Sequence, residues 1–308
     1  MIKVVSTNIS EKKGTIKKPV SSIMINEYGV KNDAHCGKWH RQVSMLGVES
    51  IERFSKETKR KINYGEFAEN ITLQGFELYK SKILDSFKIG NVILEVTQIG
   101  KECHGKTCAI FREVGKCIMP KEGIFCRVIK GGKVKPGDKI EYNPKIFRAH
   151  IITLSDRAYI GEYKDLSGPK IKENIEEYYI KTNRKFEAIN KLIPDDASLL
   201  KKNISIAIKN KADIIFTTGG TGIGPRDITV NVLKQLFEKE IPGIMDYVRM
   251  KYGADKPNAL ISRSAAGVIG KTLVFALPGS VKAVNEYCAE IIKVLDHLFY
   301  MLNGIDAH

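Results

Sequence analysis

Four glycines within six residues, Gly219, Gly220, Gly222 and Gly224, are followed at once by Arg226 and Asp227. Such a cluster lets the backbone approach a ligand closely and turns amides toward phosphate oxygens. It is not a Walker loop, because no Lys-Ser/Thr pair follows the glycines, and it lacks the Gly-x-Gly-x-x-Gly dinucleotide spacing. A glycine cluster after a strand also makes a plain tight turn. The added Arg226 suits phosphate, and Asp227 beside it suits Mg²⁺ or a ligand hydroxyl. A second acidic position, Asp195-Asp196, follows Pro194 at the end of the strand-like run 187–193. One of these carboxylates is explained as a helix N-cap. The other is surplus, and it is the one that invites a metal.

Strands must deliver these residues to one place. In the second half of the chain, apolar runs at 151–154, 213–217 and 273–277 have the look of buried strands. Between them, Ile171, Ile175, Tyr178 and Tyr179 recur at helical spacing behind Pro169, and residues 199–208 form a second helical pattern. A last helix carries Val281, Val284, Cys288, Ile292, Leu295, Phe299 and Leu302 on one face. Strands alternating with helices predict a doubly wound, mostly parallel α/β domain over 148–308, whose ligands sit at the carboxyl ends of the strands. Those ends are Ser155-Asp156-Arg157, the glycine loop from Thr218, and Pro278-Gly279-Ser280. All three are expected on one edge of the sheet.

At this point the residues carry a resemblance. Ser155-Asp156-Arg157-Ala158, Gly161, Asp165, Ser167-Gly168-Pro169, the run 217–227 and Leu277-Pro278-Gly279 resemble the molybdopterin adenylyltransferase family over about residues 148–304. The resemblance implies transfer of AMP from ATP to the terminal phosphate of molybdopterin, with release of pyrophosphate and with Mg²⁺. It implies Asp195 and Asp227 as the essential carboxylates and metal ligands. Thr218, Gly219, Gly220, Thr221, Gly222 and Arg226 would bind phosphate. Ser155, Asp156 and Arg157 would line the pterin side, and Pro278, Gly279 and Ser280 would meet phosphate at the next helix N-terminus. Val230 departs from the family, which commonly has Pro there.

The first half, residues 1–145, is β-rich: short apolar runs recur at 2–5, 23–25, 71–73, 92–96 and 124–129, and only 48–54 is helical in pattern. Many short strands punctuated by turn residues predict a barrel-like sheet. Asn143-Pro144-Lys145 closes it with a short linker. Five of the six cysteines lie here. Cys103, His104, Cys108, Cys117 and Cys126 admit a zinc reading, although no Cys-x-x-Cys pair supports it; Cys126, inside an apolar strand, reads as a core cysteine. The run from Gly29 through Asp33, His35 and Gly37, then 41–44, 65–72 and 135–138, resembles a MOSC domain. That family implies binding of molybdenum cofactor, with a cysteine supplying sulfur or a thiolate to molybdenum or tungsten. Cys103 and Cys117 both fit the cysteine; the lysines flanking Cys117 would lower its pKa. Arg41, Ser44, Asn70 and Lys101 are candidate phosphate and pterin contacts.

Composition bounds the rest. The 308 residues are 43% hydrophobic and 28% charged, which excludes a mostly disordered chain. No run approaches the roughly 18 apolar residues of a membrane helix, and the N-terminus has the pattern of a strand rather than of a signal peptide. A cytoplasmic protein without membrane partners is expected. Residues 1–145 carry 27 Lys and Arg against 16 Asp and Glu, most of the overall +15. This excess suits an anionic ligand, but the lysines are dispersed and not interleaved with aromatics, which argues against nucleic acid. Family likeness adds a trimeric homo-oligomer and a molybdenum-insertion protein as expected partners. The rival reading is a carrier or scaffold that binds molybdopterin without catalysis; retention of both Asp195 and Asp227 argues against it.

Overall fold

The computed structural model describes residues 1–101 and 117–305. Two compact units divide it, Met1–Lys145 together with Gly304 and Ile305, and Ile146–Asn303.

The first unit is a curled sheet. In chain order it holds β1 (Lys3–Ile9), β2 (Lys18–Val20), β3 (Ile23–Asn26), β4 (Gly29–Val30), β5 (Val43–Gly47), α1 (Val48–Thr58), β6 (Ile71–Gln74), β7 (Ser86–Ile89), β8 (Val92–Ile99), α2 (Met119–Glu122), β9 (Ile124–Lys130), β10 (Gly132–Val134) and β11 (Ile140–Asn143). Eight strands pair in the order β11-β7-β8-β9-β5-β6-β1-β2, and β10-β3-β4 form a small second sheet. Only β5 and β6 run parallel, joined by the crossover through α1. The Val4 amide donates to the Asp138 carbonyl at 2.9 Å, and Ile140 to Ile2 at 3.0 Å, so the segment leading into β11 returns to β1 and curls the sheet into the barrel-like form. Alternating residues such as Val43, Met45, Ile71, Leu73, Phe87, Leu94 and Val96 fill its interior.

The second unit is a three-layer α/β domain. It runs β12 (Ile146–Leu154), α3 (Asp156–Tyr159), α4 (Ser167–Lys181), β13 (Lys185–Ile193), α5 (Ala197–Lys209), β14 (Ile214–Thr218), α6 (Thr229–Leu236), β15 (Lys239–Glu240), α7 (Pro242–Gly253), β16 (Ala265–Ile269), β17 (Thr272–Leu277) and α8 (Val281–Leu302). The sheet order is β13-β12-β14-β17-β16-β15. The first four strands are parallel, and their central members are buried on both faces, which is why they are runs of Ile, Val, Phe and Leu. Phe216 and Phe275 stack at 5.4 Å across β14 and β17.

Sequence patterning did not register the antiparallel pair β15 and β16. Ala265-Ala266-Gly267 has little strand propensity, but a Cβ on Gly267 would lie 2.5 Å from the Phe237 ring, so the small residue admits close packing of the chain behind it. The first strand also begins earlier than the apolar run, at Ile146, because Phe147 and Ala149 alternate inward with exposed Arg148 between them. On α8 the buried face takes Tyr287 and Ile291, whereas Ile292 is half-buried. Among the described residues, no helix is long and apolar enough to cross a membrane.

Candidate active site

Because β12, β14 and β17 are parallel neighbours, their three carboxyl ends share one edge, and a cleft of about 510 Å³ opens there. The glycine loop crosses its floor. Gly219 adopts φ +94°, and a Cβ there would lie 2.2 Å from the Leu154 carbonyl oxygen, so only glycine passes this close to β12. Gly220, at φ +62°, would place a Cβ 2.5 Å from Thr229 Oγ1. The loop is closed from within: Thr229 Oγ1 donates to the Gly219 carbonyl at 2.8 Å, and the Thr229 amide to Gly220 at 3.1 Å. Thr218 is buried and donates from Oγ1 to the Pro278 carbonyl at 2.9 Å, joining the glycine loop to the β17 end.

The two adjacent aspartates separate into two jobs. Asp196 is the N-cap of α5, accepting from the Leu199 amide at 2.7 Å. Asp195 turns into the cleft, where Asp227 also lies. Burial raises the Asp195 pKa, with the like charges of Asp156 and Asp227 adding to it. The Asp227 carboxylate accepts from the Gly224 amide through Oδ2 at 2.7 Å. Among the described residues no third His, Cys, Asp or Glu joins them in a metal-sized cluster. Two carboxylates on one cleft fit Mg²⁺, which binds through one or two carboxylates and fills its remaining positions with water and substrate phosphate.

Ser155, Thr218, Gly219, Gly220, Thr221, Gly222 and Gly279 line the cleft as expected. Arg226 also lines the cleft, and its Nε and Nη2 both donate to Asp156 Oδ2, at 2.9 and 2.6 Å; the remaining candidates are engaged elsewhere. Asp156 consequently faces Arg226 and the Asp195 amide instead of the cleft. Arg157 pairs with Glu162 at 2.6 Å and lies 5.2 Å from the Tyr163 ring. Ser280 caps α8 through the Ala283 amide at 3.2 Å, and Pro278 serves through its carbonyl. The Gly219 amide donates to the Leu277 carbonyl at 3.1 Å, and the amides of Gly220 and Gly222 are among the loop donors without an acceptor among the described residues.

Sequence reasoning passed over three groups, and it gave a fourth, Asp165, as part of a motif without a role. Tyr163 hydrogen-bonds Ser155 at 2.8 Å. Exposed Lys164 lines the cleft without an ion pair among the described residues. Asp165 accepts from Thr153 Oγ1 at 2.7 Å and caps α4 through the Ser167 and Gly168 amides at 3.0 and 3.1 Å. Arg263 donates into the glycine loop from behind. A lysine between Gly161 and Asp165 was the one visible signal for Lys164; nothing in its residue type marks Arg263.

In the first unit, two candidates are internal. Asn70 is 1% exposed, and its Oδ1 accepts from the Ser44 amide and hydroxyl at 3.2 and 3.0 Å, while its Nδ2 donates to the Asn8 carbonyl at 3.2 Å. Ser44 Oγ also donates to the Ala68 carbonyl at 3.0 Å. Both side chains brace β5 against the turn before β6 and are not presented to a ligand. Arg41 stacks on Trp39 at 4.9 Å, and Lys101 is half-buried, its amide on the Pro120 carbonyl at 3.3 Å. Cys117 is half-buried against the cluster around Phe54, Phe67 and Met119. Cys126 is fully buried in β9 and its thiol is pushed up by burial, in keeping with a core role. Cys103, His104 and Cys108 lie outside the described residues. Behind these sits a buried ion pair, Lys17 with Asp33, which His35 also contacts at 3.3 Å.

Comparison with known proteins places this geometry. Residues 150–297 match the model of a probable molybdopterin binding domain, and residues 32–141 match the MOSC domain. A molybdopterin adenylyltransferase of Helicobacter pylori strain J99 is 36% identical over 155 residues, covering 50% of this chain and 86% of that protein. One from Pyrococcus furiosus is 38% identical over 168 residues, covering 52% and 91%. A molybdenum cofactor biosynthesis bifunctional protein of Chlorobaculum tepidum is 34% identical over 179 residues, covering 58% of this chain and 53% of its own length, so the chain spans about half of that relative. The chain belongs to the molybdopterin adenylyltransferase family of molybdenum cofactor biosynthesis proteins and carries a MOSC domain before that region.

Proposed function

We propose that residues 146–303 transfer the adenylyl group of Mg·ATP to the terminal phosphate of molybdopterin. The observation that carries this reading is the convergence of Asp195 and Asp227, from two different strand-end loops, on a cleft floored by glycine amides. A phosphate oxygen of molybdopterin attacks the α-phosphorus of ATP. The bond from that phosphorus to the bridging oxygen breaks, and pyrophosphate leaves with its electron pair. Such transfers depend on positioning and on neutralising charge. The open amides of Gly220 and Gly222 orient phosphate oxygens, Lys164 offsets charge at the mouth, and Asp195 and Asp227 hold Mg²⁺, which supplies charge neutralisation of the triphosphate when bound. A purely binding protein has no use for two clustered carboxylates facing an anionic ligand.

The MOSC region serves, in this reading, to bind or carry the pterin, its metal (molybdenum or tungsten) or sulfur, with Cys103 or Cys117 as the thiol. Tethering in one chain raises the effective concentration of one unit's product at the other. A trimeric assembly, a cytoplasmic setting and delivery to a molybdenum-insertion protein complete the proposal.

The test is the purified chain with molybdopterin and Mg·ATP, following AMP attachment and pyrophosphate release, beside Asp195→Ala and Asp227→Ala. Turnover lost in both variants supports the reading. Full adenylylation by either variant removes its metal role, and tight pterin binding without turnover by the unaltered chain favours the carrier.

A further inference from the structure

Between Thr221 and Asp227 the glycine loop has little of its own to hold it: residues 223–226 are exposed, and the internal bonds within the stretch are the short turn closed by the Asp227 amide on Gly224 and the Asp227 carboxylate on the Gly224 amide. The carbonyl groups at both ends of the stretch terminate on one residue. The Arg263 amide donates to the Thr221 carbonyl at 2.9 Å. Its guanidinium donates from Nε to the Gly222 carbonyl at 2.7 Å, from Nη2 to the Asp227 carbonyl at 2.8 Å, and from Nη1 to Asn231 Oδ1, in α6, at 2.9 Å. A planar fork of fixed donors is the group that can reach three separated acceptors at once. Because a trans peptide points its C=O and N–H in opposite directions, fixing the Thr221 carbonyl also fixes the direction of the Gly222 amide, one of the open donors of the cleft.

The foothold of this strap is itself secured. Arg249 of α7 donates from Nη1 to the Ser262 and Ser264 carbonyls at 3.3 and 2.9 Å and to Ser264 Oγ at 3.0 Å, and Ser264 Oγ meets the Tyr287 hydroxyl of α8 at 2.8 Å. All the acceptors of the Arg263 guanidinium are neutral, and among the described residues it makes no ion pair, so its positive charge stays behind the loop that carries Asp227.

We propose that Arg263 is the positioning residue of the adenylyl-transfer site: its guanidinium, through the Gly222 and Asp227 carbonyls, fixes the loop that carries the Asp227 carboxylate, while the Gly222 amide is set by the Arg263 main chain and stays set when the side chain is replaced. It acts through these groups and does not touch substrate. The inference rests on the function proposed above.

The test uses the full chain with Arg263→Gln and Arg263→Lys, beside the unaltered protein and Asp227→Asn. The readouts are kcat, KM for molybdopterin, the half-saturating Mg²⁺ concentration, and Mn²⁺ affinity in the presence of ATP by electron paramagnetic resonance. Arg263→Gln is expected to lose of order 10²-fold in kcat, to need more Mg²⁺ and to bind Mn²⁺ more weakly, with KM for molybdopterin changed much less; the lysine variant falls between. A folded Arg263→Gln protein with unaltered kcat and Mg²⁺ dependence overturns the assignment. Where neither Arg263 variant folds, Asn231→Ala, which removes only the Nη1 acceptor, is expected to raise the half-saturating Mg²⁺ several-fold, and no change there overturns it equally. If the unaltered chain transfers no AMP, the reaction reading fails by itself. Weakened Mn²⁺ binding in Arg263→Gln then still supports the positioning role, and unchanged Mn²⁺ binding rejects it.

Discussion

The amide of Asp156 donates to Oδ2 of Asp195 at 3.1 Å, and the amide of Asp195 returns a bond to Oδ1 of Asp156 at 2.9 Å. This reciprocal clasp locks the turn after β12 to the turn after β13, and Arg226 completes it from the glycine loop through Asp156 Oδ2. The ends of three strands are thus tied together by one carboxylate that does not itself enter the cleft.

A pH effect follows from the clasp. Burial, then the charge of Asp156, raises the Asp195 pKa. Asp156→Asn removes that negative charge and releases Arg226 to face Asp195. Both changes favour ionised Asp195, so the acidic limb of the kcat profile is expected to move to lower pH. A limb that stays in place or moves upward contradicts the assignment of Asp195 as the group that must be ionised.

Asp195 also trades stability for function. Its folded pKa lies above that of the unfolded chain, so the unfolded state binds fewer protons between the two values and stability falls as pH rises through that window. Asp195→Asn lacks this loss. It is expected to melt higher than the unaltered chain at pH 7 and to lose that advantage at pH 3–4, while adenylylation drops by at least about 10²-fold. Melting curves at the two pH values, with and without Mg·ATP, check both halves.

Two glycines separate by geometry. Gly219→Ala puts a methyl against the Leu154 carbonyl in a left-handed backbone. It is expected to cost about 1–3 kcal/mol or more and to abolish nucleotide binding. Gly243, near the start of α7, has nothing within 4 Å of a new Cβ. Gly243→Ala should stabilise by about 0.4–1 kcal/mol with activity intact, as urea unfolding and turnover would report.

In the first unit Lys17 and Asp33 form a buried pair, with side chains 1% and 2% exposed. Burial alone would raise the Asp33 pKa, but hydrogen bonds from His35 and Lys17 outweigh it and hold the carboxyl well below the usual range. Its contribution is present above the unfolded carboxylate value near 4 and is lost as pH falls further. Asp33→Asn leaves an ammonium without its counter-charge and is expected to destabilise the unit by about 3–5 kcal/mol. A cost below about 1 kcal/mol in denaturant unfolding would show the ammonium to be neutral or hydrated.

The strand ends were legible because β12, β14 and β17 are buried on both faces, which turns them into apolar runs broken sharply by Ser155, by Gly219 and by Pro278. The residue pattern alone did not choose between Asp195 and Asp196, since either can cap a helix; family resemblance pointed to Asp195, and the path of the chain turns that residue into the cleft. Arg226 was legible as a cation near phosphate chemistry, but its partner lies 70 residues earlier and no local spacing announces it. Ser44 and Asn70 were candidate ligand contacts by resemblance, but they hydrogen-bond each other inside the unit, a pairing across 26 residues that no local spacing announces. Arg263 was invisible for a different reason: its acceptors in the loop are backbone carbonyls, which every residue type possesses.

The outer strand β13 ends the second sheet, and its pattern of exposed residues includes Lys185, Glu187 and Lys191. Among the described residues no strand covers its free side, so a row of unsatisfied backbone groups is open to a second molecule, and half-exposed Ile189 offers such a visitor an apolar handhold. What discourages fibre-like growth from this border is the charge it carries, two lysines and a glutamate that a second strand would have to desolvate or oppose. That protection weakens where salt shortens the Debye length to about 3 Å, near 1 M. Replacing Lys185 and Lys191 with threonine would strip that border of its lysine charges at every salt concentration, so storage would be the first property to suffer.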